Sequence, residues 1–518
     1  MTFFLHSLAQ GTAYLTDPIF LLIIVAGTLW GVIGGIHPGG SATLSVGVAL
    51  PFTFVMDGPQ AVAFLLSVLV GINFANSLPS VLIGVPGTPS AVLTAQDGFQ
   101  LHQRGETGTA LGIVYLASIF GQFVSIIFFV AFVVPLSNLA YLFLSPELFA
   151  MALLGMTAVV GLAGRSIVKA VISAAVGLAV ALVGLDPLEN VPRFTLGLSD
   201  LQDGVNPIAV VIGLLAVSEV IRQCRQVYPW SVGKIRLRSI KFPNRAVLRR
   251  ILRPALLGTT LGVVIGIAPG ASAEAASYMA YQQAKAMSKT PEEFGKGSIE
   301  GIAANESAQQ ASQAGDLIPT LAVGIPGGST MVLILAALTL HGLVPGPLLI
   351  KQSPELLFGA VGGLLGAAVF LALIGWMMAK VAARLAGVDR SVILVLALAL
   401  TLIGVYSVDQ SMFDVGVCLV FGFVGYFMLR YGYAVAAAAL GVILGDDIES
   451  TLRQGILIAD GSFLTFVSRP VTAVVLALAA VLLAYGIRSE WRSRRRPPAS
   501  PDEGLLDVEA ETAEPQSH

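Results

Sequence analysis

Residues 31–42 read GVIGGIHPGGSA, and residues 262–273 read GVVIGIAPGASA. Eight of these twelve positions are identical. The likeness extends backwards along the chain. Gly27, Gly31, Gly35 and Gly39 recur at every fourth residue, and so do Gly258, Gly262, Gly266 and Gly270. A four-residue glycine step leaves one bare ridge along a helix, against which a second backbone can pack closely. Each ridge ends in Pro-Gly, at Pro38-Gly39 and at Pro269-Gly270, which stops a helix.

A second matched pair follows. Residues 79–87 read PSVLIGVPG and residues 319–327 read PTLAVGIPG. In both copies small hydroxyl residues come next (Thr88 and Ser90, then Ser329 and Thr330), followed by an apolar run. That pattern predicts a helix start, with the hydroxyls as N-cap candidates. The chain therefore reads as two repeats, each with two broken or re-entrant helices. Paired broken helices at matching positions point to a transporter site between repeats, and inverted repeats are the expected arrangement.

Composition sets the solvent around this duplication. Of 518 residues, 55% are hydrophobic and 12% charged, against about 25% charged in soluble domains. Mean hydropathy is +0.83. The 29 basic and 31 acidic side chains cannot cover a water-facing surface for a chain this long. Soluble enzymes, secreted disulfide-stapled domains and nucleic-acid binders are excluded. Cys224 and Cys418 lie too far apart in sequence to suggest a metal cluster.

The fold class is an all-α polytopic membrane protein, with roughly 10–13 transmembrane crossings at about 20 apolar residues each. Clear spans are expected at 18–36, 61–75, 109–134, 147–164, 166–184, 205–221, 255–268, 355–380, 391–408, 411–429, 431–445 and 463–486. Broken segments lie at 40–56, 77–94 and 317–343. The 18–36 stretch follows no basic n-region and reads as a first span. Ten basic residues fall between Arg222 and Arg253 with no acid among them, and five more follow the last span, from Arg488 to Arg496. By the positive-inside rule both regions are cytoplasmic. Four parts result: a first repeat over 1–221, a basic cytoplasmic loop over 222–254, a second repeat over 255–487, and a cytoplasmic tail over 488–518. The tail is acidic and Pro-rich, and reads as disordered.

Breaks at membrane depth expose backbone amides that must face protein, water or a ligand. Half-helix N-termini carry partial positive charge and suit a carboxylate. The candidate substrate-binding residues are Ser41, Asn73, Asn76, Ser77, Gly87, Thr88, Ser90, Ser272, Asn305, Gln309, Gln310, Gly327, Gly328, Ser329 and Thr330. The four motifs contain no Lys or Arg, so an anion there would be met by helix ends, hydroxyls or a co-transported cation. Asn305, Gln309, Ser312 and Asp316 follow helical spacing along one face of the most polar stretch in the hydrophobic body, 298–320. Ionisable groups at membrane depth are functional candidates, which makes Glu274, Glu306 and Asp316 the cation-coupling candidates. A helix lying on the membrane surface would show the same stripe through solvation alone. His37 has either a titrating role or that of a polar wall residue.

No G-x-x-x-x-G-K-[ST] phosphate loop, G-x-S-x-G elbow or H-E-x-x-H motif occurs. The chain carries no signature of ATP hydrolysis or intramembrane proteolysis, no cofactor is expected, and an ion gradient is the expected energy source.

These segments together resemble the large membrane subunit of the tripartite tricarboxylate transporters. The resemblance rests on the paired G-x-x-x-G-x-x-P-G and G-[VI]-P-G segments and on KTPEEFGKGSIEGIAANESAQQASQAGDLIPTLAVGIPGG at 289–328. DGFQLHQRGETGTALG at 97–112 and GLVPGPLL at 342–349 add to it. It implies a secondary importer of small carboxylates coupled to Na+ or H+, in the inner membrane of a prokaryote, and not an enzyme. It also implies two partners: a small membrane subunit and an extracytoplasmic solute-binding protein. A gated channel or passive pore would use the same broken helices.

Overall fold

The computed structural model describes residues 9–37, 40–138, 144–161, 166–186, 191–225, 243–268, 273–343, 346, 349–385 and 390–495. Most of the basic loop (226–242), the tail from 496, Ser272 and both Pro-Gly steps that end the glycine ridges lie outside them.

The chain is helical almost throughout. After a short helical segment at 9–14, the first half runs through α1 (Pro18–Ile36), capped by Asp17, then a short α2 (Ala42–Ala49) capped by Ser41, which runs into a 3-10 turn. Next come α3 (Gly58–Ala75) and α4 (Ser77–Ile83), nearly continuous through Asn76. Pro79 removes the amide that would close the turn onto Ala75, which accounts for the loosened joint. After Gly84 the chain turns into α5 (Val92–Gln103), and α6 (Thr107–Asn138), α7 (Ser145–Gly161) and α8 (Ile167–Ala181) follow. A two-residue hairpin, β1 (Gly184–Leu185) with β2 (Pro192–Arg193), is tied by Arg193 to Glu449 at 2.9 Å. Then come α9 (Pro207–Ile212), a π-helical turn over Gly213–Val217, and α10 (Ser218–Cys224).

The second half has α11 (Arg245–Ile267), α12 (Ala273–Met287), α13 (Ile299–Val323) and α14 (Ser329–Leu340). It continues with α15 (Leu349–Gln352), α16 (Pro354–Leu385), α17 (Arg390–Asp409), α18 (Met412–Arg430), α19 (Val435–Ile458), α20 (Phe463–Ser468) and α21 (Pro470–Arg495). Helix α11 starts at Arg245, so the expected boundary at 254/255 falls inside a single helix.

Nine helical stretches among the described residues are long and apolar enough to cross a membrane, and four shorter apolar helices accompany them. The nine fall below the ten to thirteen read from hydropathy for identifiable reasons. Helices α7 and α8 are each shorter than a full span. The apolar 431–445 segment is the front of α19, which continues through Asp446, Asp447 and Glu449. Large apolar side chains such as Val395, Phe423 and Leu478 stand exposed on α17, α18 and α21, as a lipid-facing surface requires.

Both glycine ridges pack as their spacing predicts. A Cβ on Gly27, Gly31 or Gly35 would lie 2.7, 2.0 or 2.7 Å from the carbonyl oxygens of Phe64, Val68 and Ile72 on α3. On Gly258, Gly262 or Gly266 it would lie 2.3, 2.5 or 2.5 Å from those of Ala304, Ala308 and Ser312 on α13. In each pair the contacts advance together along both chains, so α1 runs parallel to α3 and α11 runs parallel to α13. Parallel neighbours need a return connection. Here that return is made by α2 with its 3-10 turn, and by α12 with the polar segment up to Ser298.

Candidate functional site

The returns and the breaks meet at one cavity of about 430 Å³. Four helix starts line it: Ser41–Thr43 at α2, Thr88–Ser90 ahead of α5, Ala273–Glu274 at α12, and Gly327–Thr330 at α14. These are the starts that follow the four sequence motifs. Amide donors and the positive ends of four helix dipoles therefore border one space. Helix α3 adds Leu69 and Asn73, and α13 adds Ser312, Gln313 and Asp316.

Glycine geometry explains why the breaks sit where they do. Gly84 and Gly324 end their helices in the left-handed region, at φ +68° and +79°, where glycine carries no Cβ penalty. Beyond them Gly87 turns back onto the Asn76 backbone, and its N–H donates to the Asn76 carbonyl at 3.1 Å. Gly327 turns back onto the Asp316 carboxylate in the same way, with space for a hydrogen and none for a methyl. Asn76 and Asp316 thus hold matching places under the two hairpins with different chemistry. The Asn76 amide is engaged, donating to Thr88 Oγ1 at 2.8 Å and accepting from Ser77 Oγ at 3.0 Å. Asp316 is buried, borders the cavity, and has an Oδ1 without a hydrogen-bond partner.

The hydroxyls after the breaks are wall groups, not helix caps. Thr88 and Gly328 occupy the N-cap positions, and neither start has a side-chain cap bond. Ser41, by contrast, does cap, accepting from the Leu44 amide at 3.2 Å.

Of the residues expected at the site, Ser41, Asn73, Thr88, Ser90, Glu274, Asp316, Gly327, Gly328, Ser329 and Thr330 line the cavity. Asn76, Ser77, Gly87, Asn305, Glu306, Gln309 and Gln310 are not among its lining residues, and apart from Gly87 they belong to a buried polar network beside it. Glu306 is its centre. Its carboxylate accepts from Ser77 Oγ at 2.7 Å, from Thr94 Oγ1, and from Ser118 Oγ at 3.3 Å. Asn305 donates to Thr94 Oγ1 at 2.8 Å and to the Ser90 carbonyl at 3.2 Å. Gln310 donates to Gln122 at 2.9 Å, and Gln313 to the Leu69 carbonyl at 3.0 Å. From Gly301 to Ala322 every residue of α13 is buried, so the stripe is not the solvated face of a surface helix. Its two ends serve different surroundings: Asn305 and Glu306 face α5 and α6, while Ser312 and Asp316 face the cavity.

Two charged lining residues are absent from those expected at the site. Glu219 and Arg222 stand on α10 and meet as a bidentate pair, with Nε–Oε2 at 2.7 Å and Nη2–Oε1 at 2.5 Å. Arg222 reads in sequence as the first charge of the basic loop; it sits instead in the last turn of a helix. An acid three residues before a terminal Arg was the available signal. His37 lies off this cavity, in the wall of a smaller apolar one with Trp30, Leu44 and Leu394, and its Nδ1 is 3.0 Å from the Ile33 carbonyl.

The sequence profile of the tripartite tricarboxylate transporter TctA family matches residues 21–440. The chain belongs to this family. It is a multi-pass membrane component of tricarboxylate transport, in a system built with other subunits. An uncharacterised 52.8 kDa protein from the TAR-I ttuC' 3' region of Agrobacterium vitis is 31% identical over 491 residues, covering 95% of this chain and 98% of its own. A second A. vitis protein, from the TAR-II ttuC' 3' region, is 33% identical over 220 residues, covering 42% of this chain and 91% of its own. An uncharacterised Methanocaldococcus jannaschii protein, MJ1079, is 31% identical over 108 residues, 21% of this chain and 25% of its own. No solved structure matches the chain. The family match covers both glycine ridges, both Pro-Gly hairpins and every described wall of the cavity.

Proposed function

We propose that this chain is the translocating subunit of a cation-coupled importer of small carboxylates, with the four-helix-start cavity as its substrate site. One observation carries the reading: four helix N-termini border a single cavity. Backbone amides at helix starts are anion ligands that need no positive side chain, and discontinuous helices pointing their positive ends at a substrate are a recurrent transporter device.

The charge of the lining supports coupling. Asp316, Glu274 and Glu219 face the cavity with one guanidinium, Arg222. A carboxylate entering beside three acids gains from a cation entering with it, Na+ or H+, and Asp316 offers an unengaged oxygen for one. In this reading Glu306, enclosed by three hydroxyls, is the second coupling group. The two halves act as inverted repeats about the cavity. The chain lies in the inner membrane with its C-terminus in the cytoplasm, alongside a small membrane subunit and an extracytoplasmic binding protein that delivers substrate.

The test is counterflow in proteoliposomes containing the full chain and its partner subunits, with citrate as probe. A carrier shows uptake of labelled citrate accelerated by unlabelled citrate inside. Uptake indifferent to internal citrate would mark a pore and overturn the proposal.

A further inference from the structure

We infer that Arg222 is the side chain that recognises a substrate carboxylate, and that Glu219 holds its guanidinium in the cavity wall until that carboxylate replaces it. This rests on the carboxylate reading of the cavity and adds a residue role to it.

The first support is the backbone. The π-helical turn over Gly213–Val217 places an extra residue in the helix before α10. One added residue rotates everything after it by about 100° around the helix axis. That rotation decides which face of α10 meets the cavity, and Glu219 and Arg222 are on it. π-turns of this kind recur at functional sites because they re-aim side chains. Here the turn is held by close packing on α18. A Cβ on Gly213 would lie 2.4 Å from the Cys418 carbonyl oxygen, and one on Gly425 would lie 2.7 Å from that of Leu214.

The second support is the lining itself. Among the described residues, Arg222 is the only Lys or Arg that borders the cavity. Its side chain keeps 40% exposure while that of Glu219 keeps 10%. The acid is fixed and the guanidinium is accessible. Glu219 is further held by Gln223, whose Nε2 donates to Oε1 at 2.7 Å. If Arg222 turned to another carboxylate, Glu219 would keep that amide donor.

The third support is stoichiometric. A guanidinium fork binds one carboxylate in bidentate fashion through a given pair of N–H groups. Glu219 occupies the Nε/Nη2 edge. A substrate carboxylate that takes this edge must displace Glu219, so acid and substrate compete for one site. The helix starts are then left to hold a second carboxylate of the same molecule.

Competition has a signature that a purely structural ion pair lacks. The assay is thermal stabilisation of the purified full chain by citrate, with acetate at equal ionic strength as the monocarboxylate control. Arg222→Gln is expected to raise the half-saturating citrate concentration about tenfold or more, as loss of a charge-assisted bidentate contact does. Glu219→Gln is expected to lower it several-fold, because the internal competitor has lost its charge. The double variant should match Arg222→Gln alone, since removing the competitor helps only while Arg222 is present. Arg222→Lys keeps the charge without the fork and should fall between wild type and Arg222→Gln; it also decides the matter if Arg222→Gln does not fold. Equal weakening by Glu219→Gln and Arg222→Gln would overturn the inference and leave the cavity reading standing. Absence of any citrate-specific stabilisation of the wild type would overturn the cavity reading and this inference with it.

Discussion

Gly87 and Gly327 occupy matching turns, yet alanine at each should have a different consequence. A Cβ on Gly87 would lie 2.7 Å from both the Cα and the carbonyl oxygen of Asn76. Those are backbone atoms of a helix joint, and the same oxygen accepts the Gly87 amide at 3.1 Å. Reaching an ordinary contact needs about 0.7 Å of backbone displacement, which lengthens that hydrogen bond as well. Overpacking costs about 1–3 kcal/mol and the hydrogen bond about 1 more, so Gly87→Ala should destabilise the protein by about 3 kcal/mol. A Cβ on Gly327 would meet Asp316 Oδ1 at 2.8 Å and Cγ at 2.9 Å. Asp316 Cβ, at 3.0 Å, must also give by a few tenths of an ångström, but the carboxylate end has no hydrogen bond on Oδ1 and can swing aside by about 0.6 Å, at a cost of about 0.5–1.5 kcal/mol. The carboxylate it moves borders the cavity, so transport should fall while the fold persists. Thermal melting of detergent-solubilised protein reads the first effect, and citrate uptake in proteoliposomes reads the second. The reasoning is refuted if the two variants melt alike, or if Gly327→Ala melts low while Gly87→Ala keeps wild-type stability.

Other outcomes follow from the same geometry. Glu306→Gln should abolish gradient-driven accumulation of citrate but preserve counterflow; full accumulation by this variant would remove Glu306 from the coupling role. Gly262→Ala places a methyl 2.5 Å from the Ala308 carbonyl oxygen and should cost about 1–3 kcal/mol. Gly416→Ala meets nothing within 4 Å on α18 and should instead stabilise by about 0.5–1 kcal/mol through helix propensity. Melting of this pair in one detergent checks both signs. Asp97 is fully buried and accepts from the Gly297 amide at 2.8 Å, the Ser298 amide at 3.0 Å and Tyr281 Oη at 2.8 Å. Asp97→Ala strands two amide donors at the start of α13 and the Tyr281 hydroxyl on α12, and melting should show a loss of about 3 kcal/mol.

The sequence was most legible where the physics is local. A four-residue glycine period is a property of one helix, and it located both close-packed ridges. Gly-x-Pro-Gly followed by hydroxyls located both hairpins, and hydropathy located the lipid-facing helices. The cavity was legible only in part, because its membership depends on which helix faces which. Helical spacing placed Asn305 and Asp316 on one stripe, but spacing does not reveal that one end meets α5 and the other an open space. Arg222 and Glu219 were hidden for another reason. A π-turn shifts the face of α10 without a local sequence rule, and a run of nine further basic residues after Arg222 made it look like the edge of a loop. The hydroxyls do not cap for two local reasons: Thr88 holds the N-cap position but turns its Oγ1 to Asn76 and Ser90, and at the second hairpin Gly328 holds that position.

The ridges also constrain how the molecule can move. Where glycine meets carbonyl along successive turns, two helices are geared together tooth by tooth. Sliding one past the other by less than a four-residue step, about 6 Å, would push an oxygen against the next side chain. Axial slip is therefore barred, and α1 with α3, like α11 with α13, must travel as a single strut. Any stroke that exposes the cavity first to one side and then to the other falls to the joints outside the ridges: the hairpin tips at Gly84–Thr88 and Gly324–Ser329, and the short returns that carry the helix starts.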